Sequence, residues 1–380
     1  MSDHPPSRVG TWPVVRGWPR STGHALLELE TPEGPRGAQW WADAATTHSA
    51  AEHVPGAEVV GTVLVHPGDR DPALPRFAER LAAGERVVVH RPGRRAVLRA
   101  DRPGAPFTKV TRRRRALNAV VRHRSVHTVL GRAAAVAPVL DHGPDWISLG
   151  ALPGRTLLDL GQDTSVTDSQ VAGAWHMLGR SLRHLHAAVP ERAPELTARH
   201  DAAAEVATTR TWLEAVLAWG LLPETPASHI EVLLRPLLDT GATLRTGLLH
   251  RDLHDKQVLI ADGAHRPGLL DLDTAAWGEP ALDVANLLAH LDLRVRQDLL
   301  TPWRAGAARE AFVGALAPDR QTRDRVEAYL VAARLRLSAV YALRPRWQAM
   351  ARGLFDDVLA AGSGARTRAQ IATALRSHAG

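Results

Sequence analysis

Residues 248–260, LLHRDLHDKQVLI, decide how the rest of the chain is read. Leu248 and Leu249 lead into a dense polar loop, and Val258, Leu259 and Ile260 lead out of it. Loops framed by apolar strand-like runs hold reactive side chains on rigid supports. Inside the loop, His250-Arg251-Asp252 is followed by Gln257 five positions after the aspartate, which fits the spacing H-R-D-x-x-x-x-N with Gln in place of Asn. Beyond the turn-forming residues 261–268, Leu269-Leu270 ends on Asp271-Leu272-Asp273, so a second acidic strand end lies close by.

These residue types suit phosphoryl transfer. That chemistry needs a group to orient the attacking hydroxyl and accept its proton, plus Mg²⁺ to neutralise charge across the phosphates. Asp252 fits the first task. Asp271 and the side-chain oxygen of Gln257 fit the second, because Mg²⁺ favours carboxylate, amide oxygen and water. His250 is expected to orient the loop by hydrogen bonding to backbone or to Asp271. His254 and Lys256 are read either as phosphate or substrate contacts or as solvated loop residues.

Outward from this segment the texture divides in two. Upstream, residues 86–90, the turn Arg91-Pro92-Gly93-Arg94, and residues 95–100 and 107–111 read as three short strands. Residues 113–135 read as a helix, followed by strand-like runs at 136–142 and 146–149. From about residue 151 the chain becomes helical, with apolar spacing near 3.6 residues over 168–189, 199–220, 226–245, 280–298, 306–316, 320–343 and 346–361. The expected fold class is therefore α+β, a β-rich lobe followed by a helix-rich lobe. The first 80 residues hold strand-like runs at 24–30 and 58–66 with a turn-forming stretch at 31–37, but no readable motif. Their Trp12, Trp18, Trp40 and Trp41 are read as filling a small core rather than forming a binding surface.

At this point the chain resembles the aminoglycoside phosphotransferase and choline kinase group of the protein-kinase-like superfamily. The resemblance is carried by HRDLHDKQVL as the catalytic loop and by LLDLDTAAWGEPALDVANLLAHL as the metal loop and following helix. Loops with Gln at this position are similar to those of maltokinase-like and amino-sugar kinases. The resemblance implies a bilobal kinase-like fold with a small antiparallel β N-lobe (81–150), a larger helical C-lobe (151–380) and an N-terminal extension (1–80). It implies ATP and Mg²⁺ as cofactors, Asp252 as base, Gln257, Asp271 and Asp273 as metal ligands, and Asp283 as a structural aspartate. Phe107-Thr108-Lys109-Val110 resembles the strand whose lysine meets the nucleotide phosphates, and residues 146–157, with Leu149, resemble the hinge against the adenine. Two departures stand out. No acidic residue lies between Lys109 and Asp141 to serve as the usual helix partner of the lysine, and the β-hairpin turn has one glycine, Gly93, instead of a glycine-rich loop.

Composition narrows the remaining classes. Of 47 basic side chains only Lys109 and Lys256 are lysines, a skew that marks places where a compact ammonium is needed. With no cysteine, a metal would need oxygen or imidazole ligands. No apolar run is long enough to span a bilayer and the polar start lacks a signal-peptide core, so a cytoplasmic protein without a membrane partner is expected. The net charge of +7 permits anion binding. Residues 112–115 with Arg122, Arg124 and Arg132 are read as a solvated basic face; no aromatic residues interleave with them as a single-strand nucleic-acid platform would require. The expected partner is a small-molecule hydroxyl acceptor (a sugar, amino sugar, amino alcohol or aminoglycoside-type antibiotic), and the net positive charge leans away from a polycationic one. Two alternatives are a nucleotide-binding regulatory protein without turnover and a protein Ser/Thr kinase. The short interval from Asp273 to Asp283 leaves no room for the long activation segment of the latter.

Overall fold

The computed structural model describes residues 4–239 and 244–362. The β-rich lobe is a five-stranded antiparallel sheet in the spatial order Val139–His142, Trp146–Leu149, Phe107–Thr111, Arg95–Ala100, Glu85–Arg91. Its strands agree with the apolar runs expected from sequence, and the helix Arg115–Leu130 joins the third strand to the outer pair. Ala96, Leu98 and Val110 from one face pack with Leu74 and Phe77. On the other side, Ile147 and Leu149 pack with Ala119 and Val120 of the helix. Lys109 lies in the middle strand, opposite Val97 on one side and Ile147 on the other.

The helical lobe follows the 3.6-residue apolar spacing closely: Asp168–His186, Ala202–Ala218, Ala227–Leu238, Ala281–Arg296, Pro302–Leu316, Arg320–Ala342 and Gln348–Gly362. Sharp starts come from capping chemistry. Thr167 accepts from the Gln170 amide while the Gln170 side chain reaches back, a reciprocal box that satisfies two orphan N–H groups. The helix expected over 226–245 ends at Leu238; residues 240–243 of that stretch, and residues 363–380 of the expected C-lobe, lie outside the described residues. Ala281–Arg296 runs through the centre of this lobe, and 13 of its side chains are buried, Asp283 and Arg294 among them. A buried charge is tolerated only when paired and hydrogen-bonded, and both are, as described below.

The N-terminal extension differs most from expectation. It forms a six-stranded antiparallel sheet in the order Arg8–Val9, Trp12–Ser21, His24–Thr31, Gly34–Trp41, Val63–Val65, Glu58–Val60. The turn expected over 31–37 shrinks to a tight connection, with Thr31 already opposite Gly34, and the run 58–66 folds back on itself at Gly61, whose φ of +62° favours glycine. Gly37 is a strand residue rather than a turn residue. A Cβ there would lie 2.5 Å from Pro92 Cγ and 2.7 Å from His90 Nδ1, so its missing side chain lets the sheet press against the Glu85–Arg91 hairpin. The same sheet reaches the helical lobe: Trp40 meets Trp219 edge-on at 5.5 Å, and the Gly17 amide donates to the Leu343 carbonyl at 2.8 Å. It therefore bridges both lobes. The expectation of four core tryptophans is corrected in part, since only Trp40 is fully buried, while Trp12, Trp18 and Trp41 are half-buried.

Candidate active site

Three short elements converge beneath the sheet. Strand Gly247–Leu249 feeds the polar loop, strand Val258–Ile260 leaves it, and Gly268–Leu269 pairs antiparallel with the latter. Because Val258 stands opposite Leu269, Gln257 stands opposite Leu270, whose amide donates to the Gln257 carbonyl at 2.9 Å. Gln257 and Asp271 are thereby held at adjacent strand ends.

The loop is fixed from below by Asp283. This fully buried carboxylate accepts from the His250 amide (2.9 Å), the Arg251 amide (2.8 Å) and His186 Nε2 (3.0 Å). Burial raises its pKa, but the His186 and His250 interactions outweigh that and hold it below the ordinary value. His250 is buried, with its Nε2 2.7 Å from the Leu270 carbonyl, so it ties the 250–257 loop to the strand end before Asp271 through backbone and not through Asp271 itself. Asn286 Nδ2 donates to the Arg251 carbonyl at 2.9 Å, and the Thr274 hydroxyl donates to the His250 carbonyl at 3.0 Å. Arg251 adopts φ +72°, a left-handed conformation that an arginine adopts at a cost and a glycine freely.

Further along the loop, Asp255 takes a bidentate pair from buried Arg294 (2.7 and 2.8 Å), which also donates to Gln297 and Tyr341. His254 packs against the His290 ring at 4.8 Å, and Lys256 is exposed. Asp252 stands apart from these supports. It is half-buried, and among the described residues its carboxylate has no hydrogen bond or ion pair.

Across the cleft, Lys109 Nζ lies 2.7 Å from Asp271 Oδ1 and 2.9 Å from Asp273 Oδ1. Burial would lower the lysine's pKa, but Asp273 and Asp271 hold it above the ordinary value. Burial likewise opposes ionisation of both carboxylates, and Lys109 with Arg95 overcomes it, so both stay ionised. Asp271 has φ +53°, which turns its carboxylate back towards the sheet. The helix Arg115–Leu130 supplies no glutamate. The lysine instead takes its counter-charge from Asp271 and Asp273, and buried His123 of this helix brings Nε2 to 3.6 Å from Asp273 Oδ1. Leu149 is buried at the far end of the sheet, opposite Phe107 and two residues along the strand from Lys109.

The donor set fits a hard divalent cation. Asp271 and Asp273 are ionised and close enough to share one ammonium, and Gln257, the neighbouring strand end, carries a further amide oxygen, although its Nε2 lies against His254 at 3.5 Å. Sequence reasoning missed four contributors. Arg95 lies 3.4 Å from Asp273 and 3.8 Å from Asp271, and Arg91 stacks on Trp18 at 4.2 Å. Burial, then Arg95 and Arg16, push the Arg91 pKa down while Asp271 and Asp252 oppose the shift, which puts Arg91 within the field of both carboxylates. His123 and Trp18 complete the set. Of the basic face expected at 112–115, 122, 124 and 132, Arg112 to Arg115 are exposed, whereas Arg122 is half-buried and, with Arg115, borders an open cavity next to Asp273.

A sequence model of the phosphotransferase enzyme family (APH) matches residues 76–352. No curated protein matches the chain. Among solved structures, the amicoumacin kinase hAmiN, in complex with AMP-PNP, Ca²⁺ and Ami, is 13% identical, covers 75% of this chain and 92% of its own, and superposes with a TM-score of 0.52. The aminoglycoside phosphotransferase APH(3'')-Id from Streptomyces rimosus is 20% identical over 69% of this chain and 94% of its own, with a TM-score of 0.49. The macrolide 2'-phosphotransferase MphH from Brachybacterium faecium is 21% identical over 84% and 98%, with a TM-score of 0.44.

Proposed function

The chain belongs to the phosphotransferase enzyme family, small-molecule kinases on a bilobal kinase-like α+β fold, and from that premise we propose that it transfers the γ-phosphate of ATP to a hydroxyl of a small molecule with Asp252 as the base. The observation that carries this reading is the contrast within one loop: Asp255 and Asp283 are saturated by arginine, histidine and amides, whereas Asp252 is left open on the cleft side of a rigid support. A carboxylate held without an internal partner is available to a substrate.

In this mechanism the adenine lies against Leu149 and the hinge. Lys109 trades Asp271 and Asp273 for the α and β phosphates. Asp271, Gln257 and Asp273 would hold Mg²⁺, which when bound neutralises charge on the phosphates. Asp252 accepts a hydrogen bond from the acceptor hydroxyl and then its proton as the oxygen attacks the γ-phosphorus. The bond from that phosphorus to the β–γ bridging oxygen breaks, and ADP leaves with the electron pair. His123 supports Asp273. Of the described residues, 81–150 serve as the N-lobe, those from 151 to 362 as the C-lobe, and 4–80 as a cap over both. Among the described residues no helix is long and apolar enough to cross a membrane.

Acceptor-dependent ADP release by the full chain with Mg·ATP, across sugars, amino sugars, amino alcohols and aminoglycosides, tests the reading. A phosphorylated acceptor is the expected product. Tight Mg·ATP binding with no product from any acceptor would favour the regulatory, non-catalytic alternative, and the absence of Mg·ATP binding would overturn both.

A further inference from the structure

A cavity of about 590 Å³ opens beyond Asp273, a size suited to a small molecule. Its position follows from strand register. Phe107 stands opposite Leu149 at one end of the lysine strand, Lys109 is in the middle, and Thr111 at the other end lines the cavity. Four residues of strand separate the two ends by about 13 Å. The cavity therefore lies at the end of the cleft remote from the hinge. Thr274 also lines it, and the Thr274 hydroxyl holds the carbonyl of His250, two residues before Asp252. A ligand here sits on the phosphate-accepting side.

The lining is strongly cationic. Arg20, Arg91, Arg94, Arg95, Arg115 and Arg122 face a single carboxylate, Asp273, and Arg95 already takes it at 3.4 Å. Among the described residues the other five arginines have no carboxylate partner. Arg91 and Arg95 stand directly opposite each other across the hairpin, a like-charge pair that costs stability in an antiparallel sheet. The Nε atoms of both are buried without a hydrogen-bond partner. Burial, with Arg20, Arg115 and Arg112, also pushes the Arg94 pKa down, the signature of guanidiniums crowded without counter-charge. Trp18 from the N-terminal sheet and Trp212 from Ala202–Ala218 add flat apolar surface beside them.

Arg91 and Arg95 adjoin Lys109, Asp271 and Asp273 and suit the phosphates of the nucleotide. The remaining four line the cavity without contact to that carboxylate pair, and one of them, Arg20, comes from outside the kinase lobes. We propose that the acceptor is an anionic alcohol, bearing a phosphate or carboxylate, whose negative group is held by Arg20, Arg94, Arg115 and Arg122, with the N-terminal sheet forming part of the acceptor site through Trp18 and Arg20. This rests on the phosphotransferase reading above. It gives the extension a task and sets the chain against polycationic acceptors, which the same arginines repel.

The test matches each neutral sugar or polyol with its phosphate monoester, its carboxylate and its amino form, using the full chain and its Arg20→Gln and Arg94→Gln variants. Turnover favouring the anionic member by about tenfold in kcat/KM is expected, with acceptor KM raised about tenfold in each variant and the KM for ATP within about twofold. Equal or better use of the neutral or amino member overturns the proposal, as does a matching rise in the KM for ATP, which would assign these arginines to the nucleotide. If no member turns over, calorimetry on protein saturated with Mg·AMP-PNP decides. Binding of the anionic members that weakens in both variants supports the acceptor site, and no binding overturns it. Failure of the kinase reading is separate and shows as failure to bind Mg·ATP at all.

Discussion

The two walls of the cleft treat charge in opposite ways. Below, in the helical lobe, the buried carboxylates around the 250–257 loop have their counterparts: Asp283 with His186 and two amides, Asp255 with Arg294. Above, along the Glu85–Arg91 hairpin and the start of Arg115–Leu130, arginines crowd together with one shared pair of carboxylates. Those paired carboxylates need no ligand and act as scaffold. The upper wall reaches charge balance only when an anion enters, as expected of a surface built for phosphates. Asp252 is the exception on the lower wall and faces the upper one.

Several changes would break or sharpen that contrast. The largest effect is expected at the corner where the walls meet. Asp271→Ala removes the proposed metal ligand and a partner of Lys109, and phosphoryl transfer at saturating Mg·ATP should fall about a thousandfold, or about 4 kcal/mol of barrier. Retention of wild-type kcat would take Asp271 out of the site. Within the scaffold, Arg294→Met strands the buried Asp255 and should cost about 3–5 kcal/mol in urea unfolding, whereas the double variant with Asp255→Leu recovers most of the loss. A double variant as unstable as the single one would mean that the pair is not what fixes the loop.

A third test uses acid. Burial, opposed by Asp71 and reinforced by His90, pushes the His66 pKa down to about 4. A histidine depressed in the folded state binds fewer protons there than when unfolded, so stability is fully present above its ordinary pKa and is lost as pH falls from about 6.5 towards 4, amounting to about 3 kcal/mol. His66→Gln should flatten this acid limb in thermal melts followed between pH 7 and 4, and an unchanged limb would place the acid sensitivity elsewhere. The smallest effect is expected at Gly37→Ala. Its methyl meets Pro92 and His90, and loss of the close fit between N-terminal sheet and hairpin should cost about 1–3 kcal/mol. A neutral result would show that the sheet can shift away from the hairpin freely.

The same contrast explains what the sequence revealed. The strand-framed loop at 248–260 and the turn to Asp271-Leu272-Asp273 were legible because short apolar runs bracket dense polar stretches, and the helices were legible because their apolar stripes repeat along the chain. Asp283 was legible as structural only through the resemblance, and its contacts to His186 and two loop amides agree with that. The upper wall was not legible. Arg91 and Arg95 frame what looks like an ordinary turn, and their cross-strand opposition exists only once the register of the hairpin is known. His123 gives no signal in sequence because its approach to Asp273 depends on how the helix packs against the 271–274 turn. In the N-terminal sheet, Gly37 resembles a turn residue until Pro92 and His90 are packed against it. Tertiary contacts, not local propensity, set the role of each.

The central claim is that Asp252 is left open in order to take the proton of the acceptor. It is tested most directly by measuring kcat for Asp252→Asn on an acceptor that the wild type phosphorylates, with Mg·ATP affinity determined on the same protein. A fall of about a thousandfold in kcat with nucleotide affinity within about threefold is the predicted result. Wild-type kcat in the variant, or loss of turnover explained wholly by lost nucleotide binding, would contradict it.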